Sequence, residues 1–360
     1  MPRNTKVIVP APFAPEPTTA KAPSIRHKEP HLVWDCIVVG GGPAGANAAV
    51  VLTRAHRRVL LIDEGKQRNL LSTGMHNFLT RDAILPSDFL KAVSEELDHY
   101  SVPRSATRAI KAERLEDSGH FCVTTSDGKT HRARKLLLAT GVTDNIPDVP
   151  GMKELWGCAV HHCAYCDGWE CSHKTIGLYA SEHNGFGMAL ALRQYSKDII
   201  LFTDGRKYLR ARQRDELFHH QVRVVPGAIS HLQYTERKIE AVVLKSGEEV
   251  CCGTMFVHHG YRTNNELLLQ LGGRCSSRGA GIVNRKQECS IPGLYVAGDC
   301  ALDAHFVIVA AAQGARSGIY INDALLQEDN AASLAINRAL DAEQQQAKRG
   351  QKRRQGVALP

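Results

Sequence analysis

The sequence predicts an α/β protein built on parallel sheets. Three observations carry that expectation. Residues 35–63 read as strand, glycine turn, helix and strand; residues 175–202 repeat the strand–helix–strand pattern; and a late apolar strand, Leu294–Ala297, feeds a long alanine-rich helix. Parallel neighbours need a crossover connection, and a helix supplies it.

Each element has a local reason. Asp35-Cys36-Ile37-Val38-Val39 is a short, nearly continuous apolar run, as expected of a strand covered on both faces. The stretch from Pro43 to about Arg54 is rich in alanine, the best helix former, and proline suits a first helical position. Val59–Ile62 returns as a strand and stops at Asp63. A helix is expected over about Pro86–Tyr100, strand-like stretches to about Arg134, and an apolar strand from Lys135 into Thr140-Gly141. The second run gives a strand to Ala180, a helix over about Gly185–Tyr195 and a strand over Ile199–Phe202, and a small sheet is expected within Val222–Val257. Leu294–Ala297 ends in Gly298-Asp299, a helix covers Val307 to about Leu326, and residues 331–347 read as helical before a loose basic end.

Composition narrows the function classes. Apolar residues make up 43% and charged residues 23% of the 360, the balance of a soluble globular protein. No apolar run reaches the ~18 residues of a membrane helix, so no membrane partner is expected. The net charge of +8 divides into +3 on residues 1–30, +4 on residues 331–360 and +1 on the body. The basic residues therefore do not mark a folded face, and nucleic acid is not an expected partner. Residues 1–32 are proline-rich and lack an apolar signal core, which predicts a disordered leader and a cytoplasmic location. Eleven cysteines in such a chain point to redox chemistry, metal binding or buried thiols.

Two motifs carry chemistry. The turn Gly40-Gly41-Gly42-Pro43-Ala44-Gly45 is G-x-G-x-x-G between strand and helix. The first glycine allows the tight turn, the second lets backbone approach a pyrophosphate, and the third lets helix and strand pack closely. The helix N-terminus then offers free N–H groups to the phosphates. Asp63, with Glu64 as the alternative, stands where a carboxylate binds a ribose hydroxyl. This motif does not separate FAD from NAD. The second motif is His161-His162-Cys163-Ala164-Tyr165-Cys166-Asp167-Gly168. Cys163 and Cys166 can close and reopen a small disulfide ring, with one thiol acidified, and His162 or Asp167 can move the proton. Cys158, Cys163, Cys166 and Cys171 could alternatively bind a metal, but their spacing is not that of separated knuckles, and no metal is expected.

In combination, the glycine turn, Lys135-Leu136-Leu137-Leu138-Ala139-Thr140-Gly141, the Cys163–Cys166 segment and Gly298-Asp299 resemble the low-molecular-weight thioredoxin reductases over residues 33–328. The resemblance implies FAD and two Rossmann-like three-layer domains. The FAD domain would be discontinuous (residues 33–142 and 264–330), with a pyridine-nucleotide-type domain inserted over 143–263 and a helical basic tail at 331–360. It further implies that Gly40, Gly42, Pro43, Ala44 and Gly45 hold the pyrophosphate and that His76, Asn77, Thr140 and Gly141 border the flavin. Gly298 and Asp299, followed by Val307 and Ile308, would complete the site. Cys166 would face the flavin and Cys163 the substrate. A homodimer is implied, acting on a small dithiol or disulfide or on a thioredoxin-like protein.

The resemblance also has gaps. The second turn, Ser181-Glu182-His183-Asn184-Gly185-Phe186-Gly187, is not a dinucleotide fingerprint, and Glu182 would repel a pyrophosphate. Thr203-Asp204-Gly205-Arg206 stands where the reductases carry His-Arg-Arg, and Asp204 disfavours a 2′-phosphate. Use of NAD(P)H is therefore left open. These departures, with Met75-His76-Asn77, His162 and Asp303-Ala304-His305-Phe306-Val307-Ile308-Val309, look like the dithiol oxidases of gliotoxin-type biosynthesis. Such enzymes form disulfides at the expense of oxygen and produce peroxide.

Overall fold

The computed structural model describes residues 33–180, 185–301 and 304–355. The expected leader, the turn residues Ser181–Asn184 and Asp303 lie outside the described residues. The first sheet contains β1 (Val33–Val39), β2 (Val59–Ile62), β3 (Arg104–Ser105), β4 (Ala109–Arg114), β5 (Phe121–Thr125) and β6 (Thr130–Leu138), in the order β3-β2-β1-β6-β5-β4. Helix α1 (Pro43–Arg54) crosses from β1 to its parallel neighbour β2, and α2 (Pro86–His99) crosses from β2 to β3. β1 pairs in parallel with β6 on its other side, so its apolar residues are buried on both faces.

β7 (Val142–Asp144) leaves this sheet. A second parallel sheet follows, made of β8 (Val160–His161), β9 (Ile176–Tyr179), β10 (Ile199–Phe202), β11 (Val222–Val225) and, after an antiparallel meander, β15 (Thr254–Val257); its order is β11-β10-β9-β15-β8. Three short helices belong to it, α3 (Ala164–Asp167), α4 (Gly185–Leu192) and α5 (Ala211–His219). The meander is β12 (Ile229–Thr235), β13 (Lys238–Leu244) and β14 (Glu249–Cys251). Its Leu232, Ile239, Val242 and Leu244 pack with Ile200 and Phe202 on one side of the sheet, while Ala189, Leu192 and Leu217 of α4 and α5 pack with Leu178, Ile199 and Leu201 on the other. The result is three layers. The sequence reading assigned all of Val222–Val257 to one small sheet. The structure corrects this, because β11 and β15 are in parallel register with β10 and β9 and only β12–β14 form the meander.

The chain returns through β16 (Tyr261–Thr263), which pairs antiparallel with β7, then through α6 (Glu266–Gln270) to β17 (Leu294–Val296). β17 adds to β6 in parallel and completes the first sheet. Helix α7 (Val307–Gln355) runs without interruption, where sequence suggested a helix to about Leu326 and another from 331. The joining residues Gln327-Glu328-Asp329-Asn330 contain no breaker, and the carboxylates there are tied to the body. Glu328 pairs with Lys135 and Arg134, and Asp329 with Arg57 and Arg134. Among the described residues no helix is long and apolar enough to cross a membrane.

Candidate active site

The glycine turn sits between the end of β1 and the start of α1, and each glycine answers a different demand. Gly40 has φ +104, and a Cβ there would lie 2.2 Å from the Ala139 carbonyl oxygen. A Cβ on Gly45 would come within 1.8 Å of the Gly40 oxygen. Both are required by the protein's own packing. Gly42 is not: its φ of −68 suits any residue, and a Cβ would meet nothing within 4 Å. The space before Gly42 is open, Pro43 begins α1, and the first turn of that helix carries no acidic residue and no side-chain cap. Its free N–H groups and positive dipole end form an anion cradle of the kind a pyrophosphate occupies.

The two candidate ribose acids separate. Asp63 accepts the Gly41 N–H at 2.9 Å and the Gln67 amide at 2.8 Å, so it braces the turn. Glu64 instead pairs with Lys66 at 3.0 Å. The late chain closes the same site. Gly298, at φ +82, donates its N–H to Gln313 at 2.7 Å, and a Cβ there would touch that of Ala44 at 3.0 Å. Gly314 of α7 comes so close to α1 that a Cβ would lie 1.9 Å from the Ala44 oxygen. Val307 and Ile308 open α7, Gly141 has φ +66, and the Thr140 hydroxyl is buried beside Cys300. Asp299 is largely buried, which raises its carboxyl pKa against the pull of His305 and Arg68. Arg68 reaches Asp299 at 3.5 Å and His305 at 2.9 Å, and it grips Asp144 of β7 through a doubled contact. These residues fit FAD: the open cradle at Gly42 has no occupant among the described residues.

Cys163 and Cys166 are joined as a disulfide across α3, with Cα atoms 5.2 Å apart. Cys163 caps the helix, and its sulfur accepts the Cys166 N–H at 3.2 Å. Cys166 lines a cavity of about 390 Å³ with His76, Asn77, Asp82, Tyr165, Trp169, Glu170 and Tyr195. Asn77, held at φ +62, donates to the Tyr165 carbonyl at 2.8 Å, so the predicted flavin segment 76–77 is drawn against the cysteine helix. His76 stands between two carboxylates, Asp82 at 3.1 Å and Glu170 at 3.5 Å.

The histidines before the pair divide the work. His162 lies flat on Trp156, with ring centres 5.9 Å apart; burial, and then Arg68, lower its pKa, which favours a neutral imidazole. Asp167 does not join His162. It pairs with His161 at 3.2 Å, an ionic approach without hydrogen-bond alignment. Burial opposes a charge on His161, but Asp167 and Cys171 outweigh it and bring its pKa to about 9. Cys171 also faces Thr254, and Cys158 donates to the Leu155 carbonyl, so both are engaged away from the redox pair. Sequence reasoning missed His161, Arg68 and Tyr208. The Tyr208 hydroxyl donates to the Ala180 carbonyl at 2.7 Å, across the mouth of the second crossover.

An anion cradle of this kind, in one chain with a C-x-x-C disulfide held against the 76–77 segment, defines a flavin-dependent disulfide oxidoreductase. The comparisons agree. The family profile described as pyridine nucleotide-disulphide oxidoreductase matches residues 34–315, and the chain belongs to that family. It is 29% identical over 312 residues to the thioredoxin reductase aclD of Aspergillus oryzae, covering 83% of this chain and 98% of that one. It is likewise 29% identical over 320 residues to the thioredoxin reductase sirT of Leptosphaeria maculans, covering 83% and 97%. The crystal structure of HlmI superposes with a TM-score of 0.82 at 33% identity, covering 86% of this chain and 98% of that one. The protein is thus a FAD-dependent thiol–disulfide oxidoreductase resembling thioredoxin reductase, exchanging electrons between FAD and the Cys163–Cys166 disulfide.

Proposed function

We propose that electrons run from FAD to the Cys163–Cys166 disulfide and that the resulting dithiol reduces a substrate disulfide, either a small molecule or a thioredoxin-like protein. The observation that carries this reading is the position of Cys166, on a cavity shared with His76 and Asn77. When bound, FAD supplies two-electron exchange with the cysteine pair. Gly40, Gly42, Pro43, Ala44 and Gly45 hold its pyrophosphate, and Asp63 rather than Glu64 its ribose. Thr140, Gly141, Gly298 and Asp299, with Val307 and Ile308 behind them, border the remainder. The Cys166 N–H steadies a thiolate forming at Cys163. His162, neutral by burial, accepts the proton of a thiol that attacks and returns it to the one that leaves. Asp167 keeps His161, two residues before Cys163, charged.

The same proposal divides the chain into a FAD domain (33–142 and 264–330) and an inserted domain (143–263). It includes homodimeric assembly, in keeping with the family resemblance, and a cytoplasmic location, which the nine unbonded cysteines support.

A specific observation favours a second reading, an oxygen-dependent dithiol oxidase without a working NADPH site. Asp204 accepts from Tyr179 at 3.0 Å and from the Ile229 N–H at 2.8 Å, and Tyr208 closes over Ala180. These groups lie at the carboxyl ends of β9 and β10, where an α/β crevice would take a nucleotide. Anaerobic titration with NADPH and then NADH, followed at the flavin band, tests both readings. Bleaching by a nucleotide supports the reductase; bleaching only by a dithiol, with recovery and peroxide in air, supports the oxidase. Cys163→Ser and Cys166→Ser must each abolish dithiol bleaching while FAD stays bound, or the exchange site lies elsewhere.

A further inference from the structure

The wall of the cavity beside the redox pair has a marked chemical character. Three aromatic rings line it, Tyr165, Trp169 and Tyr195, together with two carboxylates, Asp82 and Glu170, and with His76 between those carboxylates. Among the described residues no lysine or arginine lines it. Its two carboxylates give the wall a negative character, on a chain whose net charge is +8. Trp169 is 80% and Tyr165 71% exposed, so the rings stand at an open rim and have not been taken into the core. Asp82 and Glu170 keep 74% and 43% of their side-chain surface exposed, so each retains lone pairs for a visitor. Aromatic faces attract cations through their quadrupoles, and an ammonium between such faces and carboxylates gains from both.

We infer that this cavity selects dithiol or disulfide substrates that carry a cationic group, above all an ammonium, close to the sulfur atoms. The inference rests on the proposed reading of Cys163–Cys166 as the thiol-exchange site and names the substrate class that site takes; it brings the substrate to the Cys166 side of the pair, where the family resemblance implied Cys163. For a dithiol the chemistry balances within the pair. One substrate thiolate forms a mixed disulfide with one cysteine as the Cys163–Cys166 bond breaks and the other cysteine leaves as a thiolate. The second substrate thiol then displaces the bound cysteine and closes the substrate disulfide. Two electrons and two protons pass to the cysteine pair, from which bound FAD would be their acceptor; for a disulfide substrate the same exchanges run in reverse. The ammonium takes no part in the bonds; it holds the sulfurs over the cavity wall.

Three small dithiols probe this in the anaerobic holoenzyme by stopped-flow bleaching of the flavin: dithiobutylamine (cationic), dithiothreitol (neutral) and dimercaptosuccinate (anionic). Their intrinsic thiol reactivities differ, so the informative quantity is the change in rate ratio between enzyme variants. In Glu170→Gln the cationic-to-neutral ratio should fall about fivefold, as the loss of one solvent-screened charge dictates. Asp82→Asn should act in the same direction, and the anionic-to-neutral ratio should rise in both. Raising the salt concentration should shrink the wild-type preference. Ratios unchanged within about twofold in both variants, with bleaching intact, overturn the charge selection and leave the exchange site standing. If none of the dithiols bleaches the wild-type flavin, the exchange reading itself fails, and the selection with it.

Discussion

Replacing Gly42 by alanine separates the cofactor site from the fold. The backbone there is extended, at φ −68, and a Cβ would meet no atom of the described residues within 4 Å. The chain therefore loses little: alanine for glycine at a helix N-cap costs under about 1 kcal/mol. The pyrophosphate loses much more, since the methyl group fills the space it approaches. Displacing an anion from one backbone N–H forfeits about 1.5–3 kcal/mol, and moving it off the helix end forfeits about 0.3–1 kcal/mol more. The sum, about 2–4 kcal/mol, raises the FAD dissociation constant about 30- to 700-fold. Urea midpoints of the apoprotein and FAD binding followed by flavin fluorescence measure the two quantities apart. Wild-type FAD affinity in Gly42→Ala would refute the placement of the pyrophosphate at this turn; a large loss of apoprotein stability would refute the claim that the open space belongs to a ligand.

Two further predictions rest on packing and on charge. Gly314→Ala should lower apo and holo stability alike, by about 2–3 kcal/mol, because its Cβ would meet the backbone oxygen of Ala44 at 1.9 Å; a thermal melt that does not move argues against the close α1–α7 approach. His161 has a folded-state pKa raised from 6.5 to about 9, so its pairing with Asp167 stabilises fully below the unfolded value and is lost as pH rises through the folded one. Between about pH 6 and pH 10 that amounts to an upper bound of about 3 kcal/mol; Asp167→Asn should flatten this part of the stability–pH curve, and an unchanged slope in the variant removes His161 as its source.

What sequence revealed was what short stretches encode by themselves. The G-x-G-x-x-G turn needs only β1, six residues and α1, and the spacing of Cys163 and Cys166 is enough to close a disulfide over one helical turn. Partnerships made by tertiary folding were not legible. Arg68 sits in a stretch without periodicity, and its partners Asp144, Asp299 and His305 follow 76, 231 and 237 residues later. The sequence offered both His162 and Asp167 as proton carriers, but β8 and α3 meet so that Asp167 falls on His161 and His162 turns to Trp156. β11 and β15 were misplaced because a four-residue strand with three apolar residues looks the same in a meander edge as in a parallel sheet; register with β9 and β10 decides, and register is not local.

The completion of the first sheet by β17 sets a timetable for synthesis. Translation delivers β1, its glycine turn and β6 early, but β17 follows some 150 residues later and the α7 residues that meet Ala44 later still. The second sheet, by contrast, is whole once β15 has been made. On the ribosome the cysteine-bearing half can therefore fold while the cofactor half waits with an unfinished edge along β6, and FAD can lock the structure only once β17 and the first turns of α7 have emerged. Contacts so distant in sequence form late, and domains tend to fold as units during elongation. A nascent chain stalled before Leu294 should thus hold a protease-resistant core around β8–β15 and no flavin.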